Sequence, residues 1–330
     1  MVETPDRTIL IVEDHDVLRE GLQILLEAEN YNVITAAHGK AALLQMESAV
    51  PDLILSDISM PEMDGYEFYE AVRSHPEWMA IPFIFLTARG DRADLFTSRK
   101  MGVEDYLVKP VERQALVTTI HSRLERSQQL MLAQLEQAYE ASLIMLANAI
   151  ELRDRYTRGH VERVMELAVK IAEQLDLSES QINAVRFGAI LHDIGKISIR
   201  EDVLRKAGPL DLSEWSEMKR HTTMGATLLN DVPFLSSALP IILHHHERWD
   251  GQGYPNGLAG EDIPLEARIV TVADAYDAMT SSRVYHNEDT SIEALEEIVA
   301  GIGTRYDCQV VEAFVKALEA ETRSSEDEPE

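Results

Sequence analysis

Short apolar runs alternate with amphipathic stretches over residues 1–125 of the chain. The apolar runs are Thr8–Val12, Asn32–Ala36, Leu53–Ser56, Phe83–Leu86 and Asp105–Val108. Stretches between them, such as Val17–Glu27 and Gly65–Ser74, carry apolar residues at helical spacing. Strands that are apolar throughout and separated by helices are typical of a parallel sheet covered on both faces. The pattern predicts a doubly wound α/β domain over residues 1–125.

A helical pattern without strands begins near Val111. Leu116, Ile120 and Leu124 recur at helical spacing, and no proline or glycine interrupts Val111–Arg158. We therefore predict one long connecting helix over residues 112–150 that leaves the first domain and enters the second. Long helices of this kind often pair in parallel, so a homodimer is expected.

Helical patterns dominate the rest of the chain. The main stretches are Val161–Leu175, Glu179–His192, Leu212–Asn230, Ser236–His246, Leu265–Ser281 and Ser291–Gly301. Proline and glycine cluster between them, most densely in Asp250–Pro264. These patterns predict an all-α domain over residues 138–320. The last residues, 321–330, are polar and acidic, and we expect them to be disordered.

Composition narrows the functional classes. The net charge of −28 opposes binding to nucleic acid or to anionic lipid, so neither DNA output nor membrane insertion is expected. The apolar runs are far shorter than the roughly 20 residues that span a bilayer, and Met1–Asp6 does not resemble a signal peptide. With a single cysteine, the chain is expected to be cytoplasmic.

Carboxylates, a hydroxyl and an ammonium group follow the predicted strands. Glu13 and Asp14 follow the first, Asp57 the third, Thr87 the fourth and Lys109 the fifth. Sites in parallel α/β sheets form at the carboxyl ends of the strands. Converging carboxylates repel one another unless a hard cation such as Mg²⁺ lies among them. With the cation bound, one of the carboxylates can attack a phosphoryl group. The sequence thus predicts a phosphoacceptor site.

These residues resemble the receiver domain of response regulators, which has a flavodoxin-like fold. The resemblance rests on Ile9-Leu-Ile-Val-Glu-Asp14, Ser56-Asp57-Ile-Ser-Met-Pro61, Leu86-Thr87-Ala88 and Tyr106-Leu-Val-Lys109-Pro110. It implies that Asp57 accepts the phosphoryl group from a sensor histidine kinase. It also implies Mg²⁺ binding by Glu13, Asp14, Asp57 and Ser59, phosphoryl binding by Thr87 and Lys109, and a switch role for Tyr106.

The second domain carries histidines and aspartates in an arrangement that suits metal ions. His192-Asp193 ends an apolar helix, His244-His245-His246-Glu247 is a dense cluster, and His221 lies between them. Asp274 sits on an apolar helix, where an unpaired carboxylate would cost several kcal/mol. Imidazole and carboxylate ligands together suit Fe, Mn or Zn, and two such ions can clamp a phosphodiester.

Together these residues resemble the HD-GYP group of HD phosphohydrolases. The motifs are Arg153-Asp154-Arg-Tyr156-Thr157-Arg-Gly159-His160, His192-Asp193-Ile-Gly195-Lys196, His221, His245 through Pro255, and Asp274 through Tyr285. The resemblance implies a phosphodiesterase that opens cyclic di-GMP to pGpG, and further to GMP in some members. Two divalent ions, Fe or Mn, are implied.

The resemblance also assigns roles to single residues. The implied metal ligands are His192, Asp193 (as the bridge), His221, His245, His246, Asp274 and His160. Asp193 and Lys196 are the implied catalytic residues. Substrate contacts are implied for Lys196, Arg283, His286, Gly253, Tyr254 and Pro255. Some relatives hold a third ion with a Glu at the position of Tyr156, so Tyr156 favours two ions.

Two alternatives stay open at this stage. The helical domain could bind cyclic di-GMP or partner proteins, such as a diguanylate cyclase at the Gly253-Tyr254-Pro255 loop, without catalysis. It could also hydrolyse another substrate, for instance cyclic GMP-AMP or a phosphomonoester. The complete ligand set and Lys196 favour an enzyme over a scaffold.

Overall fold

The computed structural model describes residues 7–88, 105–153, 159–281 and 288–326. The chain divides into two compact units, Met1–Glu136 and Gln137–Glu330. No helix among the described residues is both long enough and apolar enough to cross a membrane.

The first unit is a parallel sheet flanked by helices, as predicted. Its strands are β1 (Thr8–Val12), β2 (Asn32–Ala36), β3 (Leu53–Asp57), β4 (Phe83–Thr87) and β5 (Asp105–Val108). They form one five-stranded sheet in the order β2-β1-β3-β4-β5. The helices are α1 (Asp16–Glu27), α2 (Gly39–Ser48), α3 (Gly65–Ser74) and the start of α4 (Arg113–Glu151).

Alternating strand side chains build two apolar layers, one on each face of this sheet. Leu10, Ile54 and Phe85 belong to one layer. Ile11, Leu55 and the α4 residues Leu116 and Ile120 belong to the other. Because both faces are covered, the central strands are mainly apolar and do not alternate between apolar and polar residues.

Helices make up the described secondary structure of the second unit. They are the end of α4, then α5 (His160–Gln174), α6 (Glu179–Leu191), α7 (Glu201–Leu204), α8 (Leu212–Leu229), α9 (Leu239–His244), α10 (Leu265–Ser281), α11 (Glu288–Ala300) and α12 (Cys308–Glu326). Short 3₁₀ helices span Ile194–Ser198, Pro233–Leu235 and Gly260–Asp262. Because α12 continues to Glu326, residues 321–326 are helical, whereas composition predicted disorder from residue 321.

Capping residues fix where these helices begin. Ser178 and Gln181 form a reciprocal capping box at α6, and Asp211 and Glu214 form one at α8. One large apolar core, with Ile171, Ile190 and Phe314 among its fully or almost fully buried residues, holds most of the helices together, and a small separate cluster forms around Val203. The caps and the core thereby position the helix ends from which the polar residues of the site project.

Candidate functional site

The carboxyl ends of the strands in the first unit bring the predicted acidic residues together. Oxygens of Glu13, Asp14 and Asp57 lie within 4.8 Å of one another. Lys109 Nζ donates to Asp57 Oδ2 and to Glu13 Oε2, at 2.7 Å in each case. The backbone N–H of Ile58 donates to Asp57 Oδ1 at 2.7 Å, which fixes the carboxylate orientation.

The charges in this pocket are strongly coupled. Burial raises the pKa of Glu13, although the bond from Lys109 opposes that effect. Burial lowers the pKa of Lys109, but Asp57 and Glu13 more than offset it and leave the pKa above 10.5. A hard cation among the three carboxylates would relieve their mutual repulsion, so the donor set fits Mg²⁺.

The remaining predicted receiver residues lie on neighbouring strand ends and on the loop after β3. Thr87 is the last residue of β4 and is buried, and it pairs with Val108 next to Lys109. Ser59 lies two residues beyond the end of β3 and is exposed. The Tyr106 ring stacks on Phe85 at 6.4 Å, and its hydroxyl is buried without a hydrogen-bond partner among the described residues.

In the second unit, histidines and aspartates from five helical segments converge in two groups. One group contains Asp193, His221, His245 and His246, and the other contains His160, His192 and Asp274; within each, ligand atoms lie no more than 4.8 Å apart. His160 opens α5, His221 lies in α8 and Asp274 lies in α10. The His192-Asp193 and His245-His246 pairs directly follow α6 and α9.

Backbone carbonyls orient three of the imidazoles. Nδ1 of His192 lies 2.7 Å from the Ala189 carbonyl oxygen, and His221 and His245 make the same contact at 2.8 and 3.0 Å with carbonyls three residues earlier. A carbonyl only accepts, so each Nδ1 carries a proton, and Nε2 presents a lone pair wherever the ring is neutral. The Nε2 atoms of His221 and His245 nevertheless face each other at 3.3 Å.

Two lone pairs cannot hydrogen-bond to each other, but both can bind one cation, so this arrangement suits a shared metal ion. His192 Nε2 is also buried without a hydrogen-bond partner among the described residues. Ligating histidines commonly donate their other ring N–H to a carbonyl or carboxylate, as these residues do. The donor set, imidazole nitrogen with carboxylate oxygen, fits divalent Fe, Mn or Zn.

Asp193 lies between the two groups. Its Oδ2 is 3.3 Å from His192 Nε2, and its Oδ1 is 3.4 Å from His221 Nε2. Each oxygen thus faces one group, which is compatible with the bridging role that the sequence predicts for Asp193. Lys196 Nζ lies 2.7 Å from the same Oδ2, which places the positive charge of the lysine ammonium group at the edge of the cluster.

Protonation states differ across the cluster in the metal-free protein. Burial lowers the pKa of His245 well below 6.5 and that of His246 to about 3, so both are neutral and ready to bind metal. Burial lowers the pKa of His192 as well, but Asp193 and Asp274 more than offset it and raise the pKa to about 9. Burial raises the pKa of Asp193, but Lys196 and His192 reverse that shift and hold the pKa well below 3.8.

Gly195 permits close contact between the Asp193 segment and α8. A Cβ at residue 195 would lie 1.8 Å from the His221 carbonyl oxygen and 2.6 Å from the Gly225 nitrogen. No side chain fits there without moving α8. Gly195 therefore sets the distance between the segment that carries Asp193 and Lys196 and the helix that carries His221.

The loop with Gly253, Tyr254 and Pro255 forms one wall of the cluster. The Tyr254 ring lies 4.8 Å from the ring of the ligand candidate His246, and burial raises the pKa of the Tyr254 hydroxyl. A Cβ on Gly253 would lie 2.4 Å from both the Glu247 Cα and the Arg248 nitrogen, so the loop needs glycine there.

Two residues that the motifs contain, but to which sequence reasoning assigned no role, support the site. Asp277 Oδ2 accepts from His160 Nδ1 at 2.6 Å, while Arg163 also donates to this carboxylate. Glu247 accepts from the backbone N–H groups of residues 256, 257 and 258, at 2.7, 3.1 and 3.1 Å. Both carboxylates are almost fully buried. For Asp277, a charged residue within the apolar pattern of α10 was the available signal, whereas Glu247 stands among polar residues and gave no such signal.

Comparison with known proteins agrees with this architecture. A response regulator receiver domain model matches residues 9–121, and an HD domain model matches residues 144–310. The chain is 38% identical over 328 residues to the cyclic di-GMP phosphodiesterase response regulator RpfG of Xanthomonas campestris, covering 93% of this chain and 87% of that protein. The chain belongs to the family of receiver–HD response regulators.

Two other relatives of this receiver–HD response regulator carry different activities in their names. A cyclic di-GMP phosphodiesterase of Thermotoga maritima is 36% identical over 335 residues, covering 94% of this chain and 90% of that protein. A 3′3′-cGAMP-specific phosphodiesterase of Vibrio cholerae is 38% identical over 173 residues, covering 52% of this chain and 33% of that protein. The family is thereby fixed, and the substrate is a separate question.

The predicted substrate residues Arg283 and His286, like Tyr156, lie outside the described residues. Their roles stay predictions.

Proposed function

We propose that this response regulator is a metal-dependent phosphodiesterase that hydrolyses cyclic di-GMP to pGpG, and that phosphorylation of Asp57 regulates it. The observation that carries the proposal is the two ligand groups that Asp193 connects, in the first of which His221 Nε2 and His245 Nε2 face each other at 3.3 Å. Two relatives that align over most of this chain are named cyclic di-GMP phosphodiesterases. A scaffold that binds no metal would not need the buried, neutral imidazoles of His245 and His246.

The side chains divide the work as follows. The two groups would hold two divalent ions, Fe or Mn, which activate the phosphodiester and a water molecule when bound. Lys196 binds the phosphate and supplies a proton toward the leaving oxygen, since its ammonium lies beside Asp193. Tyr254 limits the entry of water from the loop side, and Asp277 holds His160 in the orientation that directs Nε2 into the cluster.

The first unit supplies the input. A receiver domain implies a phosphodonor such as a sensor histidine kinase, and Asp57 with Lys109 and Thr87 is the site at which we propose phosphoryl transfer. Mg²⁺ among Glu13, Asp14 and Asp57 would neutralise the carboxylates during this transfer. Phosphorylation would shift the equilibrium between receiver conformations, and α4 would transmit this shift to the phosphodiesterase.

We also propose that α4 pairs with its copy in a homodimer. Exposed apolar side chains cluster in the middle of this helix, with Leu130 54%, Met131 74% and Leu135 65% exposed. Grouped exposed apolar residues are typical of an interface. Molar mass from light scattering tests this, and a monomer at micromolar concentration would refute it.

The decisive experiment is anaerobic turnover by protein loaded with Mn²⁺ or Fe²⁺, beside a His192→Ala/Asp193→Ala variant. Cyclic di-GMP and 3′3′-cGAMP are compared as substrates, because one relative acts on the latter. We expect pGpG from the wild type and no product from the variant; the assay also reveals whether GMP follows. Failure to open cyclic di-GMP, with and without acetyl phosphate, would rule out this substrate.

A further inference from the structure

The last helical residue of α4 reaches the cluster from a part of the sequence outside all the predicted ligands. Glu151 Oε1 lies 3.8 Å from His160 Nε2, and the Glu151 side chain is 12% exposed. This oxygen is buried and has no hydrogen-bond partner among the described residues. An unpaired carboxylate oxygen in a buried position costs free energy, so the arrangement requires an explanation.

The distances around His160 are compatible with an ion that His160, Asp274 and Glu151 share. His160 Nε2 lies 3.5 Å from Asp274 Oδ1 and 3.8 Å from Glu151 Oε1. Both distances are long for hydrogen bonds. Two ligand atoms that each lie about 2.1 Å from one ion can be at most about 4.2 Å apart, and both distances respect this limit.

The surrounding structure holds Glu151 in this position. Arg153, two residues later, donates to the carbonyl oxygens of Ile197 and Ile199 at 2.8 and 3.1 Å. These carbonyls lie in and directly after the 3₁₀ helix that contains Lys196. The end of α4 is thereby tied to the Asp193 segment, and Glu151, His160, Asp193 and Lys196 line one cavity.

We propose that Glu151 is a metal ligand, binding the same ion as His160. The sequence argument for only two ions relied on Tyr156, which lacks the carboxylate that some relatives have there. In this chain, Glu151 brings a carboxylate to His160 from a different helix. The inference rests on the metal centre proposed above, but not on its substrate.

The test is a Mn²⁺ titration of metal-free full-length protein, with free Mn²⁺ measured by electron paramagnetic resonance. Glu151→Gln keeps the shape of the side chain and removes only the charge. Glu140→Gln is the matched control, because Glu140 lies on the same helix and its carboxylate faces Arg186 at 3.7 Å. We expect one class of Mn²⁺ sites to weaken at least about tenfold in Glu151→Gln and to stay unchanged in the control.

Thermal melting with and without Mn²⁺ distinguishes a ligand from a structural residue. If Glu151 is a ligand, Glu151→Gln melts no lower than the wild type without metal but gains less from added Mn²⁺. A lower metal-free melting temperature with an unchanged gain from Mn²⁺ would overturn the proposal, as would superimposable titrations. If the wild type binds Mn²⁺ as expected but leaves cyclic di-GMP intact, the substrate assignment fails and the Glu151 inference stands.

Discussion

Replacing Asp277 by asparagine should show how much a residue that is not itself a ligand contributes to stability and to metal binding. Asp277 is 4% exposed, and its oxygens accept from His160 Nδ1 at 2.6 Å and from Arg163 Nε and Nη2 at 2.5 and 3.1 Å. Asparagine keeps one accepting oxygen and turns an NH₂ group toward one of these donors. Hydrogen bonds to charged groups contribute about 1.5–3 kcal/mol, so losing one and leaving a donor unsatisfied should cost about 2–4 kcal/mol.

The same change should weaken metal binding. Because asparagine can present either an acceptor or a donor to His160 Nδ1, it no longer imposes one tautomer on His160, and loss of such a supporting carboxylate typically lowers metal affinity about 10–100-fold. Urea unfolding of the metal-free protein measures the first effect, and Mn²⁺ titration measures the second. Asp231→Asn, at an exposed aspartate with one 3.3 Å bond to Asn230, is the control.

The pH dependence of stability tests the role of Asp277 independently. Burial raises the pKa of Asp277, but His160 and Arg163 more than offset this and hold the pKa below 3.8. The ionised Asp277 therefore stabilises the fold fully above pH 3.8, and this stabilisation is lost as the pH falls through the lowered pKa of Asp277. The difference in unfolding free energy between Asp277→Asn and wild type should therefore shrink as the pH falls below 3.8. Equal unfolding midpoints and equal Mn²⁺ affinities in the two asparagine variants would refute the reasoning.

Three further outcomes follow from the geometry. Gly195→Ala should destabilise the protein by about 1–3 kcal/mol or more and abolish turnover, because the new Cβ would overlap the His221 carbonyl. Urea unfolding and turnover assays test this. Gly208→Ala is the control, since no atom lies within 4 Å of a Cβ at residue 208. The metal-free protein should lose stability as the pH rises from 6.5 to about 9, because His192, whose pKa is raised, stabilises the fold only while its ring is protonated. Urea unfolding in the presence of a chelator measures this loss, and His192→Asn should not show it. Asp57→Asn should remove the acetyl-phosphate-dependent gel shift and any phosphate-dependent change in turnover, while basal turnover in the absence of phosphodonor continues.

Local sequence determined the elements and most of the candidate ligands. The predicted strands Leu53–Ser56 and Phe83–Leu86 are each one residue longer in the structure, which makes Asp57 and Thr87 strand residues. The prediction of Leu265–Ser281 matches α10. These patterns are readable because burial of apolar side chains follows the period of the helix or strand.

Composition was less reliable at the end of the chain. Residues 321–326 are polar and charged, which suggested disorder, but they extend α12. A helix already nucleated by buried residues such as Phe314 adds further turns at little cost, because propagation is easier than initiation.

The sequence by itself determined the chemistry of the protein: an acidic pocket at strand ends, and histidines and aspartates at fixed spacings. Only the tertiary structure decided which of these side chains meet. Asp193 faces both ligand groups, Asp277 orients His160, and Glu151 arrives from a helix that the motifs do not include. Spacing along one helix is local and can be read from the chain. Convergence of separate helices depends on how their apolar faces pack, and that packing is fixed only in three dimensions.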